Sequence, residues 1–153
     1  RDRPLWGICL GAQLMSRALG ASVDSHPEDR VEVGWYPLHS RGLGHREFGT
    51  LSHVYQWHRE GYQLPPGATR LAVGAPGAAF TEQAYRIGYR ALATQFHPEM
   101  HPPMMRRWLA RATHMLELPG AHPTEFHNAG MRRYYAKQAH WLKRTLHAWL
   151  TIP

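Results

Sequence analysis

The sequence predicts an α/β domain in which a largely parallel sheet carries helices on its faces and is followed by further helices at the C-terminal end. Three observations carry that prediction. An apolar run at residues 5–8 passes through the glycine-flanked Cys9 into an Ala- and Leu-rich segment, the pattern of a strand turning sharply into a helix. Short apolar or alternating runs at 31–38, 51–57, 69–73, 83–87 and 89–96 are separated by turn-forming residues, as strands are. Beyond Pro103 the apolar residues recur at helical spacing, first up to the LPGAHP segment at 118–123 and again over 124–150.

Taken in order, residues 4–8 read as a buried strand, 7–11 as the sharp turn, and 12–19 as the helix behind it, stopped by Gly20. The polar, turn-rich ASVDSHPEDR at 21–30 leads to a strand marked by Val31, Val33, Trp35 and Leu38 and interrupted at Gly34 and Pro37. Residues 42–50 read as a loop, and 51–57 as a strand that delivers WHRE, residues 57–60, to the end of the sheet. A Pro-Pro-Gly turn precedes the short strand 69–73. The next two strands, 83–87 and 89–96, join at Gly88, with Ala91, Ala93 and Gln95 on one face and Leu92, Thr94 and Phe96 on the other. In the first C-terminal helix the spacing of Met104, Trp108, Ala112 and Met115 defines a face. In the second, Met131, Tyr135, Leu142, Leu146 and Trp149 line one side and most basic residues lie elsewhere. Packing of that stripe on the sheet or on the preceding helix is the reading preferred over docking to a partner or a membrane surface.

Composition narrows the function. The 153 residues suit one domain with a substantial core. A single cysteine excludes a disulfide framework, and no apolar run reaches membrane-spanning length, so a cytoplasmic protein is expected. The net charge of +7 comes from 18 Lys and Arg spread along the chain, concentrated locally only after Met131. With no zinc-finger spacing, no RNP-like motif and no phosphate-binding loop, specific nucleic-acid binding is not expected. Of the 12 histidines, His97 and His101 are four apart, but Pro98, Pro102 and Pro103 argue against a regular helix that would present both to a metal. No metal and no cofactor is expected.

The chemistry gathers at two places. Most lone cysteines are small buried hydrophobes, yet at a glycine-flanked strand-to-helix turn the nucleophile reading of Cys9 outweighs that one. Such a turn projects the sulfur past the sheet edge, Gly11 leaves room for a substrate, and the N-terminus of the following helix favours the thiolate. In QFHPE at 95–99, His97 supplies a base that can become an acid, and Glu99 a carboxylate that can fix the imidazole tautomer. Gln13 lies one helical turn beyond Cys9, either in the site or as an ordinary surface amide.

GICLGAQ at 7–13 followed by QFHPE at 95–99, with WHRE between them, resembles the signature of the class I, triad-type glutamine amidotransferases over residues 3 to about 109. Within that family the chain is similar to stand-alone proteins related to the amidotransferase domain of GMP synthase. The resemblance implies a flavodoxin-like sheet, a Cys9–His97–Glu99 triad, and Leu10 N–H as an oxyanion donor. It also implies that Gln13 and the loop carrying Trp57 and Arg59 hold glutamine. Arg59 occupies a position where the family usually has glycine, which leaves substrate identity open. The implied partner is a synthetase or other acceptor of ammonia. The resemblance further implies strands and an oxyanion-loop glycine upstream of Arg1. The chain is therefore expected to be the C-terminal part of an amidotransferase domain (1–118) with a helical extension (119–153), aggregation-prone and inactive by itself. Two other readings remain: a γ-glutamyl hydrolase or peptidase with the same cysteine chemistry, and a non-catalytic binding or regulatory module.

Overall fold

The computed structural model describes residues 3–151. Strand β1 (Leu5–Ile8) runs through Cys9 into helix α1 (Leu10–Ala18), followed by β2 (Val23–Ser25), β3 (Glu32–Pro37), β4 (His39–Ser40) and the short helix α2 (Gly44–Phe48). Next come β5 (His53–His58), β6 (Glu60–Tyr62), β7 (Thr69–Val73), β8 (Glu82–Ile87) and β9 (Ala91–Thr94). Helix α3 (Pro102–Arg111), a 3-10 turn at Thr113–Glu117 and the long helix α4 (Thr124–Leu150) end the described chain.

The fold is α/β, but its sheet is mixed rather than largely parallel. In the five-stranded sheet of order β1-β9-β8-β7-β4, only β1 and β9 run parallel. The short link through Gly88, at φ +55°, cannot make the long crossover that parallel neighbours require, so β8 and β9 form an antiparallel hairpin. Two antiparallel ribbons, β2 with β6 and β3 with β5, complete the strands.

Four local expectations also change. Strand β3 runs unbroken through Gly34, because that glycine answers a packing demand: a Cβ there would lie 2.6 Å from His122 Nδ1. The segment 42–50 contains α2, and the polar segment 21–30 contributes β2, which pairs through its backbone with β6. Strand β1 is only partly buried, since it forms one edge of the described sheet and Leu5 is 55% exposed.

Helix α1 lays Ala12, Gln13 and Ser16 against the sheet, and the Ser16 hydroxyl shares a 3.0 Å hydrogen bond with Tyr85. Helix α4 packs on β3 and β5. Its Trp141 and Trp149 join Leu38, Phe48, Val54, Leu92 and Phe96 in one core cluster, and its Met131 joins Trp35 and Tyr55 in another. The stripe that α4 buries is rotated from the one expected. His127, Gln138 and Trp141 face inward with Met131 and Trp149, whereas Leu146 is 40% exposed. Among the described residues no helix is long and apolar enough to cross a membrane.

Candidate active site

The parallel register of β1 and β9 builds the site. Ile8 lies opposite Thr94, so both strands leave the sheet at the same end, and Cys9 N–H extends the ladder with a 2.9 Å bond to Thr94 O. Cys9 is the first residue past β1, and Gln95, Phe96 and His97 follow β9. Open α/β sheets place their sites at such carboxyl ends.

Cys9 holds φ +48° and ψ −106°, a conformation that L-residues rarely adopt. The glycine before it is required by the turn: a Cβ on Gly7 would fall 2.4 Å from Met15 Sδ and 2.7 Å from Gly11 O. Gly7 thereby lets α1 fold back over the end of β1. A Cβ on Gly11 would meet nothing within 4 Å, so that position faces open space. Gln13 N–H donates to Cys9 O at 3.0 Å, closing the first helical turn, and leaves Leu10 N–H among the donors without an intrahelical acceptor.

The Cys9 thiol donates to Trp57 O at 3.9 Å and accepts from Gln95 Nε2 at 3.8 Å. The Nδ1 of His97 is 2.6 Å from Glu99 Oε1, and the His97 ring packs edge-on against Trp108. Burial works against a charged His97. Hydrogen bonding to Cys9 and Glu99, reinforced by their charges, outweighs it and raises the pKa from 6.5 to about 9. The structure thus brings Cys9, His97 and Glu99 together. Of His101, which the sequence paired with His97, it makes the N-cap of α3, where the imidazole accepts from Met104 N–H.

A cleft of about 530 Å³ opens beside the sulfur, lined by Cys9, Gln13, Trp57, His58, Arg59 and Glu60, with Ser25 and Met115. Gln13 is only 6% exposed and is not a surface amide: its Nε2 donates to Glu60 O at 2.8 Å. Arg59 is exposed on the cleft wall, and Leu10 is 62% exposed at the start of α1.

Behind this wall lies a polar chain that the sequence reading missed. Both ring nitrogens of His58 face acceptors, Glu60 O at 2.9 Å and the buried Glu32 Oε2 at 3.1 Å. Gln83 Nε2 donates to the same Glu32 oxygen at 2.9 Å, and Gln56 Nε2 donates to Gln83 Oε1. Buried polar groups persist when they are paired; Gln56 Oε1 is left without a partner among the described residues, and the remaining bonds fix Glu60 at the start of β6, which Gln13 also grips. The available signal was the acid between Val31 and Val33, a charge in an otherwise apolar strand that has to find a buried partner.

The model for the family described as glutamine amidotransferase class-I matches residues 1–114. The chain is 36% identical over 118 residues to a glutamine-hydrolysing GMP synthase of Nocardia farcinica, covering 74% of this chain and 21% of that protein. It resembles the crystal structure of a glutamine amidotransferase from Thermotoga maritima with a TM-score of 0.80 and 29% identity, over 97% of this chain and 63% of that one. A glutamine amidotransferase structure from Methylobacillus flagellatus gives 0.84 at 23% identity, over 96% and 62% of the two chains, and shows likeness of fold. The chain spans about a fifth of the GMP synthase and under two-thirds of either solved structure. With the motif pair, the fold and the match over residues 1–114 in agreement, the chain belongs to the class I glutamine amidotransferase family.

Proposed function

We propose that the full protein hydrolyses the side-chain amide of glutamine, the ammonia-releasing half of an amidotransferase reaction. The observation that carries this reading is the cysteine on a strained strand-to-helix turn beside a histidine already oriented by a carboxylate at 2.6 Å. The match to the family and the likeness to a protein named a glutamine-hydrolysing GMP synthase support it.

With Nδ1 held by Glu99, His97 exchanges protons through Nε2. It takes the Cys9 proton, and a pKa of about 9 keeps the imidazolium charged at neutral pH. The thiolate then adds to the amide carbon, forming the C–S bond and moving the carbonyl π electrons onto oxygen. Leu10 N–H, free at the head of α1, is a donor for that oxyanion. Collapse breaks the C–N bond while His97 delivers its proton to nitrogen, so ammonia leaves and a γ-glutamyl thioester remains on Cys9. Neutral His97 next takes a proton from water, the hydroxide adds to the thioester, and C–S cleavage returns the thiolate and releases glutamate.

The cleft supplies the remaining roles. The open space at Gly11 admits the amide, Gln13 and Trp57 shape the wall, and Arg59 presents a guanidinium to the substrate carboxylate. The released ammonia passes to an acceptor carried by a synthetase or another partner. Arg59, which the resemblance puts at a position where the family usually has glycine, also favours a second reading, a γ-glutamyl hydrolase or peptidase whose substrate brings an additional carboxylate.

Ammonia release from glutamine by the full protein, compared with Cys9→Ala, tests the proposal. Activity is expected to vanish in the variant. Residual release within about tenfold of the parent rules Cys9 out as the nucleophile.

A further inference from the structure

Helix α4 lies beyond the residues that the family model matches, yet one of its side chains hydrogen-bonds to the catalytic turn. Gln138 sits midway along α4 and is 0% exposed, in a stripe otherwise dominated by aromatic and aliphatic residues. An amide buried that deeply is costly unless its donors and acceptor are matched. Here they are. Oε1 accepts from Tyr55 N–H at 3.1 Å, and Nε2 donates to His97 O at 3.1 Å and to Pro98 O at 3.4 Å.

These bonds close a bracket. Tyr55 O independently accepts from His97 N–H at 2.8 Å, so the side chain of Gln138 and the backbone of β5 together hold both polar groups of the His97 backbone. The bracket is needed because His97 lies outside regular structure: β9 ends at Thr94, and Pro98 has no N–H to offer a ladder. A turn of that kind leaves the imidazole free to drift relative to the sulfur. The neighbouring contacts stop such drift only in part, since Met100 N–H reaches His97 O at 3.2 Å from within the same turn.

We infer that Gln138 is a positioning residue, which clamps the backbone of His97 and Pro98 to β5 so that the imidazole stays aligned with Cys9 and Glu99. Helix α4 is thereby a working part of the active site. This inference rests on the reading of His97 as the acid and base, and deepens it by assigning what holds that group in place.

The test uses the full protein and compares Gln138→Met, which keeps the length and loses every hydrogen bond, with Gln138→Glu, which keeps the acceptor for Tyr55 N–H. Trp149→Phe serves as a control for a buried change on α4, at a ring that packs on Trp6 and under Arg86. His97→Asn is measured in parallel. For Gln138→Met, kcat for glutamine hydrolysis falls roughly 10- to 100-fold with KM within about threefold, as misplacing a reacting group does. The pH profile of Cys9 alkylation by iodoacetamide shifts as well, because the imidazole beside the sulfur has moved. Trp149→Phe leaves both unchanged. Gln138→Glu recovers part of the kcat as the pH is lowered, when a protonated carboxyl can again donate to one carbonyl. A Gln138→Met protein with parental kcat and alkylation profile, beside an inactive His97→Asn, overturns the positioning role alone. An active His97→Asn instead overturns the reading beneath it. If Gln138→Met does not fold, Gln138→Glu carries the test: a pH dependence identical to the parent's refutes the inference.

Discussion

Replacing Cys9 with glycine and with alanine removes the same sulfur but treats the backbone differently. At φ +48° and ψ −106° an alanine keeps the strain that the cysteine bears, whereas glycine adopts the region without a Cβ penalty. Holding an L-residue in so sparse a region costs about 1–3 kcal/mol. The greater freedom of glycine in the unfolded chain takes back about 0.5–1 kcal/mol. Cys9→Gly is therefore expected to be more stable than Cys9→Ala by roughly 1–2 kcal/mol. For a chain of this length that is a Tm higher by about 2–8 °C. Denaturant titration of both variants at equal m-value, backed by thermal melts, reads the difference directly, and both variants lack activity. An alanine variant as stable as the glycine variant, or more so, refutes the idea that the turn stores strain to project its nucleophile.

The partners separate by role. His97→Asn is expected to cost nearly as much activity as losing Cys9, because in the proposed mechanism thiol deprotonation and leaving-group protonation both pass through it. Glu99→Gln costs less, since an amide oxygen can still orient the ring, and steady-state ammonia release ranks the two. Stability should also depend on pH through His97. Its folded pKa of about 9 lies above the unfolded 6.5, so its contribution is complete below pH 6.5 and disappears as the pH rises through about 9. Relative to His97→Asn, the unfolding free energy of the parent therefore declines across that window, and parallel pH curves for the two proteins contradict the assignment.

The parts of the site that depend on short-range chemistry were legible in the sequence. Gly7 and Gly11 around a lone cysteine announce a sharp turn, and the HPE after an apolar strand offers His97 and Glu99 as the proposed base and orienting acid. Their meeting follows from β1 and β9 pairing in parallel with Ile8 opposite Thr94. Long-range pairing was less readable. Strand β2 is short and polar, and its partnership with β6 is made by backbone groups that side-chain patterns do not report. Glu32 and Gln138 were passed over because a buried polar residue declares itself only through partners distant in sequence: His58 and Gln83 for the first, Tyr55 and His97 for the second. Periodicity placed the buried face of α4 on Met131, Tyr135, Leu142, Leu146 and Trp149; Met131 and Trp149 are buried, but Leu146 is 40% exposed and the helix also turns Gln138 and Trp141 inward, where Trp141 Nε1 donates to Glu47 O at 2.8 Å.

The central claim is that Cys9 attacks the side-chain amide carbon of glutamine. Treating the folded full protein with a glutamine-mimicking electrophile and mapping the product by peptide mass spectrometry tests it most directly. The account predicts a single covalent adduct on Cys9, slowed by excess glutamine and lost in His97→Asn. A correctly folded protein that forms no adduct on Cys9 contradicts the account and identifies the site as one that binds without catalysing.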